Sequence, residues 1–268
     1  MPVSDLLERL FHRTADRVFA WFPRHCPDRS ILGQVKLVAH RGEHDDRRVL
    51  ENTIEAFDAV LHRGVWGVEF DIRWTRDLHP VVFHDPDLRR LFGSAVKIRE
   101  RTLHQLRADF PSIPTLEEVI RRYGRKMHLM AEIKEEDWPE PAYQNQVLGD
   151  LFSALAPAED FHLLSLEPSL FERIHFAPPS SFLPVAELNV AEMSALALQN
   201  RYAGLAGHYL LLTRPILEKH KAAGQKIATG HIASKNCLCR EINRGVDWIF
   251  TNTALRIQAI CEELCRGP

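Results

Sequence analysis

Only eight residues, 73–80, separate two apolar runs at 67–72 and 81–83, and they carry a turn-like Thr75-Arg76-Asp77. Parallel neighbours in a sheet need a crossover of a dozen or more residues, so these two runs must form an antiparallel hairpin. The rest of the chain behaves differently. Further short apolar runs at 35–39, 127–133, 161–166, 182–188, 209–212, 226–229 and 248–251 alternate with longer stretches of helical periodicity. Such alternation implies a mainly parallel sheet with helical crossovers. Nine runs less the hairpin's return strand leaves eight, the count of a (β/α)8 TIM barrel with an antiparallel hairpin after its second strand. A doubly wound open sheet is the alternative.

The helical stretches lie at 51–62, 115–123, 143–155, 168–174, 191–202, 215–223, 235–244 and 253–265. Asn52-Thr53 opens the first with Glu55 close behind, and Gly64, Gly124, Gly224 and Gly245 follow last turns. Length does not argue for a second domain, because barrels of this class run to about 250 residues. The expected organisation is therefore a barrel domain over 31–268 preceded by residues 1–30. Within the latter, Val3, Leu6, Leu7, Leu10, Phe11, Val18, Phe19 and Phe22 recur at helical spacing. An amphipathic helix packed on the barrel is the favoured reading, and an interfacial membrane helix the less favoured one, since its polar face balances acids and bases.

A net charge of -2 supplies no global field to draw in nucleic acid or an anionic membrane, so any anion site must be built locally. No basic, aromatic-studded surface suggests a nucleic-acid enzyme. The five cysteines, Cys26, Cys237, Cys239, Cys261 and Cys265, match no common disulfide or zinc framework. Reduced thiols in a cytoplasmic protein are expected, consistent with charges at Asp5, Glu8, Arg9, Arg13, Asp16 and Arg17 that interrupt any secretory signal. Oligomeric state is not readable from the sequence.

Two histidines, each ending an apolar run, bracket a pair of carboxylates: His40-Arg41-Gly42, then Glu69-x-Asp71, then His84-Asp85. Strand period two puts Glu69 and Asp71 on one face. Like charges so placed need a cation or a proton between them. Glu132 and Lys134 repeat the spacing on the next parallel strand. Three carboxylates from two strands suit a hard cation, Mg²⁺ or Ca²⁺, rather than zinc. Arg41 and Lys134 then supply positive charge for a phosphate, Arg through its fork and Lys as a point charge. His40 and His84, on different strands across a pocket, could serve as acid and base near neutral pH. The competing reading of the whole set is a ligand-free network of buried ion pairs, disfavoured because burying so many ionisable groups is costly.

The ordered motifs His40-Arg41-Gly42, Glu51-Asn52-Thr53 with Ala56-Phe57, 67–71 (GVEFD), Thr75-x-Asp77, 81–85 (VVFHD), Pro114-Thr115-Leu116, Glu132-Ile133-Lys134 and 245–251 (GVDWIFT) resemble the glycerophosphodiester phosphodiesterase family. The resemblance runs from about residue 36 to the end. It implies a (β/α)8 barrel that hydrolyses glycerophosphodiesters to glycerol phosphate and an alcohol with one divalent cation. It further implies His40 and His84 as the acid/base pair, and Glu69, Asp71 and Glu132 as metal ligands. Arg41 and Lys134 would contact phosphate, with Glu51 and Asn52 supporting or contacting the site. The alternatives are a lysophospholipase D or sphingomyelinase D-like enzyme of the same architecture, marked by an apolar rim, and a catalytically inactive module that binds metal or phosphate. The chain departs from the family pattern at Leu50, where proline is usual, at Ala228-Thr229-Gly230-His231, where Trp-Thr-Val-Asn is common, and at Asn252, where Asp is frequent.

Overall fold

The computed structural model describes residues 18–266. Its strands are β1 (Lys36–His40), β2 (Gly67–Trp74), β3 (Pro80–Val82), β4 (His128–Ile133), β5 (Phe161–Ser165), β6 (Phe182–Ala186), β7 (Gly204–His208), β8 (Lys226–Gly230) and β9 (Trp248–Thr251). They form one sheet in the order β1-β9-β8-β7-β6-β5-β4-β2-β3, closed by pairing of β1 with β2. All pairings are parallel except β2 with β3. The fold is a (β/α)8 barrel with β3 hung on β2 as the hairpin's return strand, in the register Ile72–Val82, Arg73–Val81 and Trp74–Pro80.

The helices are α1 (Arg29–Leu32), α2 (Ile54–His62), α3 (Arg89–Phe92), α4 (Leu103–Asp109), α5 (Leu116–Tyr123), α6 (Pro141–Phe152), α7 (Val190–Gln199), α8 (Arg214–Ala222), α9 (Lys235–Arg244) and α10 (Ala254–Arg266). Local chemistry sets their ends. Thr115 and Glu118 form a capping box at the start of α5, and Ser234 accepts the Cys237 amide at the start of α9. Apolar residues fill two layers. Val68, Phe70, Ile72, Leu129, Ala131 and Ile133 point outward to the helices, whereas Val38, Met130, Leu164, Leu183, Ala228, Trp248 and Phe250 fill the barrel's interior. Strand alternation therefore turns Glu69, Asp71 and Glu132 inward, above that filling.

Three expectations shift. The seventh strand is Gly204–His208, not residues 209–212. It is short on bulk because its neighbour is close: a Cβ at Gly204 would sit 1.8 Å from the Lys226 carbonyl oxygen. The more apolar run after it turns over the rim, burying Tyr209 and Leu212. Residues 51–53 form a turn, and α2 begins at Ile54 with Thr53 as its cap; Pro168–Arg173 is a 3₁₀ rather than an α-helix. Between β3 and α5 an insertion carries α3 and α4, built around its own small core of Val81, Phe83, Leu88, Ile98, Leu106 and Ile113.

Of the expected N-terminal helix, residues 3–17 lie outside the described residues; 18–21 are helical. Phe19 packs edge-on to Tyr209 at 5.5 Å with the Arg240 guanidinium over its ring, and Asn236 donates to the Ala20 carbonyl. The five cysteines are free thiols. Among the described residues no helix is long and apolar enough to cross a membrane.

Candidate active site

Eight parallel strands place their C-terminal ends on one face, and the ionisable residues collect there. β1 ends at His40, paired with Glu69, and Asp71 pairs with Glu132 on β4. After β1 the chain folds back sharply. Gly42 has φ +83, and a Cβ there would lie 2.8 Å from that of Ala56, so only glycine fits against α2. Arg41 and Asn52 both take the left-handed conformation, with φ 58 and 57. Such backbone costs about 1–3 kcal/mol at a non-glycine residue and persists only where surroundings impose it. Here the Arg41 amide donates to the Glu69 carbonyl at 2.9 Å and the Asn52 amide to the Arg41 carbonyl at 3.0 Å.

The hairpin delivers His84. The Phe83 amide donates to the Asp71 carbonyl at 3.0 Å, and Arg73 Nε donates to the His84 carbonyl at 2.7 Å. His84 Nδ1 lies 2.6 Å from Asp85 Oδ1. A carboxylate only accepts, so Nδ1 carries the proton and Nε2 is left toward the pocket. On the other side, His40 Nδ1 donates to Asn252 Oδ1 at 2.6 Å, while its Nε2 stands 3.7 Å from Glu69 Oε2.

Between the histidines, Glu69, Asp71 and Glu132 are all buried and bring one carboxylate oxygen each within 4.8 Å of the others. Lys134 Nζ bridges Asp71 Oδ1 at 2.9 Å and Glu132 Oε1 at 2.5 Å. Arg41 reaches Asp71 Oδ2 at 3.3 Å through Nε and Glu51 Oε1 at 3.1 Å through Nη1; Asn52 Nδ2 donates to Asp71 Oδ2 at 2.7 Å. Every predicted site residue thus belongs to one cluster. Glu51 and Asn52 support Arg41 and Asp71.

The charges are unequally compensated. Burial alone would push the Asp71 carboxyl upward, but Lys134 and Arg41 hold it well below the usual range. Glu69 goes the other way: burial, with Asp71 and Glu132 beside it, raises it well above. Burial, Arg41 and His231 hold His40 well below its usual value. Glu69 Oε2 accepts the Arg41 amide at 3.2 Å, yet Oε1 is buried without a hydrogen-bond partner among the described residues. A buried, unpaired carboxylate oxygen facing two others is a poor resting state for protein alone. The all-oxygen donor set fits a hard divalent cation.

Several neighbours were given no role in the site from the sequence, although His231 and Asn252 stood out there as departures from the family pattern. Asn252 anchors His40, and the His231 ring lies 4.3 Å from that of His40. Arg90, on α3, reaches Asp85 and Glu51. The His84-Asp85 dipeptide was a signal for Asp85, but only the fold of the insertion brings Arg90 to it.

A family model described as the glycerophosphoryl diester phosphodiesterase family matches residues 40–230. A glycerophosphodiester phosphodiesterase from Caldanaerobacter subterraneus is 27% identical over 81% of this chain and 93% of its own length. The solved glycerophosphodiester phosphodiesterase of Thermotoga maritima superposes with a TM-score of 0.72 at 24% identity, covering 84% of this chain and 98% of its own. A phosphodiesterase from Oleispira antarctica, solved in complex with the product sn-glycerol-3-phosphate, gives 0.68 at 22% identity, covering 86% and 98%. The match to the family model spans most of the barrel and takes in every residue of the cluster but Asn252 and His231, so the chain belongs to the glycerophosphoryl diester phosphodiesterase family, a family of phosphoric diester hydrolases.

Proposed function

We propose that this chain hydrolyses glycerophosphodiesters to glycerol 3-phosphate and an alcohol, with one divalent cation, Mg²⁺ or Ca²⁺, held by Glu69, Asp71 and Glu132. The observation that carries the reading is the convergence of three buried carboxylates and two cations between two histidines at the C-terminal end of a barrel. The bound cation would neutralise phosphate charge. Arg41 and Lys134 bind the remaining phosphate oxygens, and the rigid backbone around Gly42 holds Arg41 in place. His40, anchored on a neutral amide, is suited to take the proton of the attacking hydroxyl or water at Nε2. His84, anchored on the Asp85 carboxylate, is suited to carry a proton at Nε2 and give it to the leaving alkoxide.

Incubation of the purified protein with a panel of glycerophosphodiesters, with Mg²⁺, Ca²⁺ or chelator, should release glycerol 3-phosphate only when a cation is present. Turnover that survives rigorous metal removal would sink the three-carboxylate site.

One observation favours a second substrate class. Leu166 and Leu188, just beyond β5 and β6 on the site's face, are 39% and 90% exposed. An apolar rim at the mouth suits a lysophospholipid or sphingomyelin-like diester, cleaved by a lysophospholipase D-type reaction at the same groups. Including lysophospholipids in the panel, with Leu166→Ser and Leu188→Ser variants, separates the two. For the organisation of the chain, the reading is a barrel domain at 31–268 preceded by residues 1–30, of whose described part Phe19 and Ala20 contact the barrel.

A further inference from the structure

The insertion between β3 and α5 has a core of its own, and its Leu91, Phe92 and Ile113 line one cleft with Glu51 and Asn52. Beyond His84 and Asp85 at its start, it reaches the cluster with one guanidinium. Arg90 donates through Nε to Asp85 Oδ2 at 2.6 Å, and through Nη2 and Nη1 to Glu51 Oε1 and Oε2 at 2.5 and 3.0 Å. Nη1 also lies 3.4 Å from Asp46 Oδ2. Each carboxylate has its second duty on the barrel side. Asp85 fixes the His84 ring, Glu51 takes the Arg41 guanidinium, and Asp46 accepts the Glu51 amide and the His44 ring. His44, Asp46 and Glu51 lie close enough together to suggest a second metal seat, but Arg90 already supplies the cation there.

A continuous path of charge-assisted bonds therefore runs from His84 through Asp85, Arg90, Glu51 and Arg41 to Asp71. His84 comes from the hairpin and Arg41 from the loop after β1, and among the described residues Arg90 is the side chain that ties both arms. We propose that Arg90 is a positioning residue: it holds the Asp85 carboxylate so that His84 keeps its proton on Nδ1 and presents Nε2, and it holds Glu51 so that Arg41 stays aimed at the phosphate. A planar fork presents separate nitrogens to the three carboxylates at fixed spacing; an ammonium, a single point charge, does not reproduce that geometry.

The role in turnover rests on the proposed phosphodiesterase reading, whereas the hold on the His84 ring does not. The test therefore has two arms. In ¹⁵N-histidine-labelled protein, the His84 ring should show a protonated Nδ1 in the wild type and a mixture of tautomers in Arg90→Gln, with Arg90→Lys between them. In the glycerophosphodiester assay, Arg90→Gln should lower kcat by roughly 10- to 100-fold, the usual range for residues that orient others, and combination with Asp85→Asn should cost less than the two single losses multiplied. An unchanged His84 tautomer in both Arg90 variants overturns the proposal. So does wild-type kcat in a folded Arg90→Gln protein. A wild type inactive on every diester would count against the phosphodiesterase reading alone, and the tautomer arm would still decide Arg90. Should Arg90→Gln fail to fold, Arg90→Lys carries both arms.

Discussion

Lys134 Nζ stands 2.9 Å from Asp71 Oδ1, on the neighbouring strand, and reaches Glu132 with the same ammonium. The lysine and Arg41 leave one carboxylate, Glu69, short of a partner. A divalent cation should therefore stabilise the fold measurably. At a concentration about 100 times its Kd, linkage gives roughly 2.7 kcal/mol, or a Tm rise of roughly 5–10 °C for a chain of this size. Differential scanning fluorimetry with Mg²⁺ or Ca²⁺ should show that rise in the wild type and lose most of it in Glu69→Gln. Equal shifts in both proteins would remove Glu69 from the ligand set.

Replacing Lys134 by Met leaves Asp71 and Glu132 buried with less compensation. Breaking such a pair costs about 3–5 kcal/mol. Urea unfolding in chelator should show a loss of that size, partly recovered on adding divalent cation because the carboxylates regain a counter-charge. A variant as stable as wild type in chelator would mean that Lys134 carries little of the cluster's electrostatics.

His40→Ala and His84→Ala should each lower turnover by about 100-fold or more while leaving the thermal transition near that of the wild type, since both rings sit at the rim and neither fills the core. Turnover near wild type in a folded His84→Ala protein would end its assignment as a proton carrier.

The barrel was legible because its constraints are local. An eight-residue link cannot cross over, so the hairpin followed, and with it the Phe83–Asp71 bond that seats His84. The carboxylate pattern was legible for the same reason: strand period two places Glu69 and Asp71 together without any tertiary knowledge. What escaped depends on contacts distant in sequence. β7 was misplaced because Gly204 and Gly207 are selected by the approach of Lys226 and Ala186, which no periodicity reveals. Asn252 meets His40 across 212 positions, and Arg90 meets Glu51 across 39. The clustering of Arg41, Asp46 and Asn52 in left-handed backbone is likewise a property of the packed loop.

That loop makes Gly42 a sharp test. Gly42→Ala must accept both a positive φ and a Cβ 2.8–2.9 Å from the Ala56 Cβ, carbonyl carbon and oxygen. Backbone strain alone contributes about 1–3 kcal/mol, and the α2 backbone has to shift as well. Denaturation should report a loss of at least that size, with activity falling further than stability because Arg41 moves with the turn. An alanine variant of wild-type stability and turnover would show that the turn relaxes freely.

The opposite end of the barrel predicts an acid-sensitive fold. His128 and His162, near the starts of β4 and β5, are 6% and 3% exposed and bond to each other, Nε2 to Nδ1, at 2.8 Å. His128 Nδ1 bonds to the Glu159 carbonyl, which can only accept. The tautomers are thereby fixed: His128 donates from Nδ1, and His162 donates from its own Nδ1 to the bare Nε2 of His128. Trp66 stacks on His128 at 4.3 Å and Trp248 lies edge-on to His162 at 4.7 Å, excluding water. Burial pulls His128 down to about 4; burial, with His128 and Lys36 nearby, pulls His162 down to about 3. Because both folded values lie below the unfolded one near 6.5, their contribution is complete above pH 6.5 and is lost as the unfolded chain takes up protons below it. Each site should cost up to about 2 kcal/mol between pH 7 and pH 5. His162→Gln keeps a donor for His128 but does not titrate, so its stability should fall less steeply with acid by about that amount. Parallel urea-unfolding curves for the two proteins over this range would show that the histidine pair does not set the acid limit.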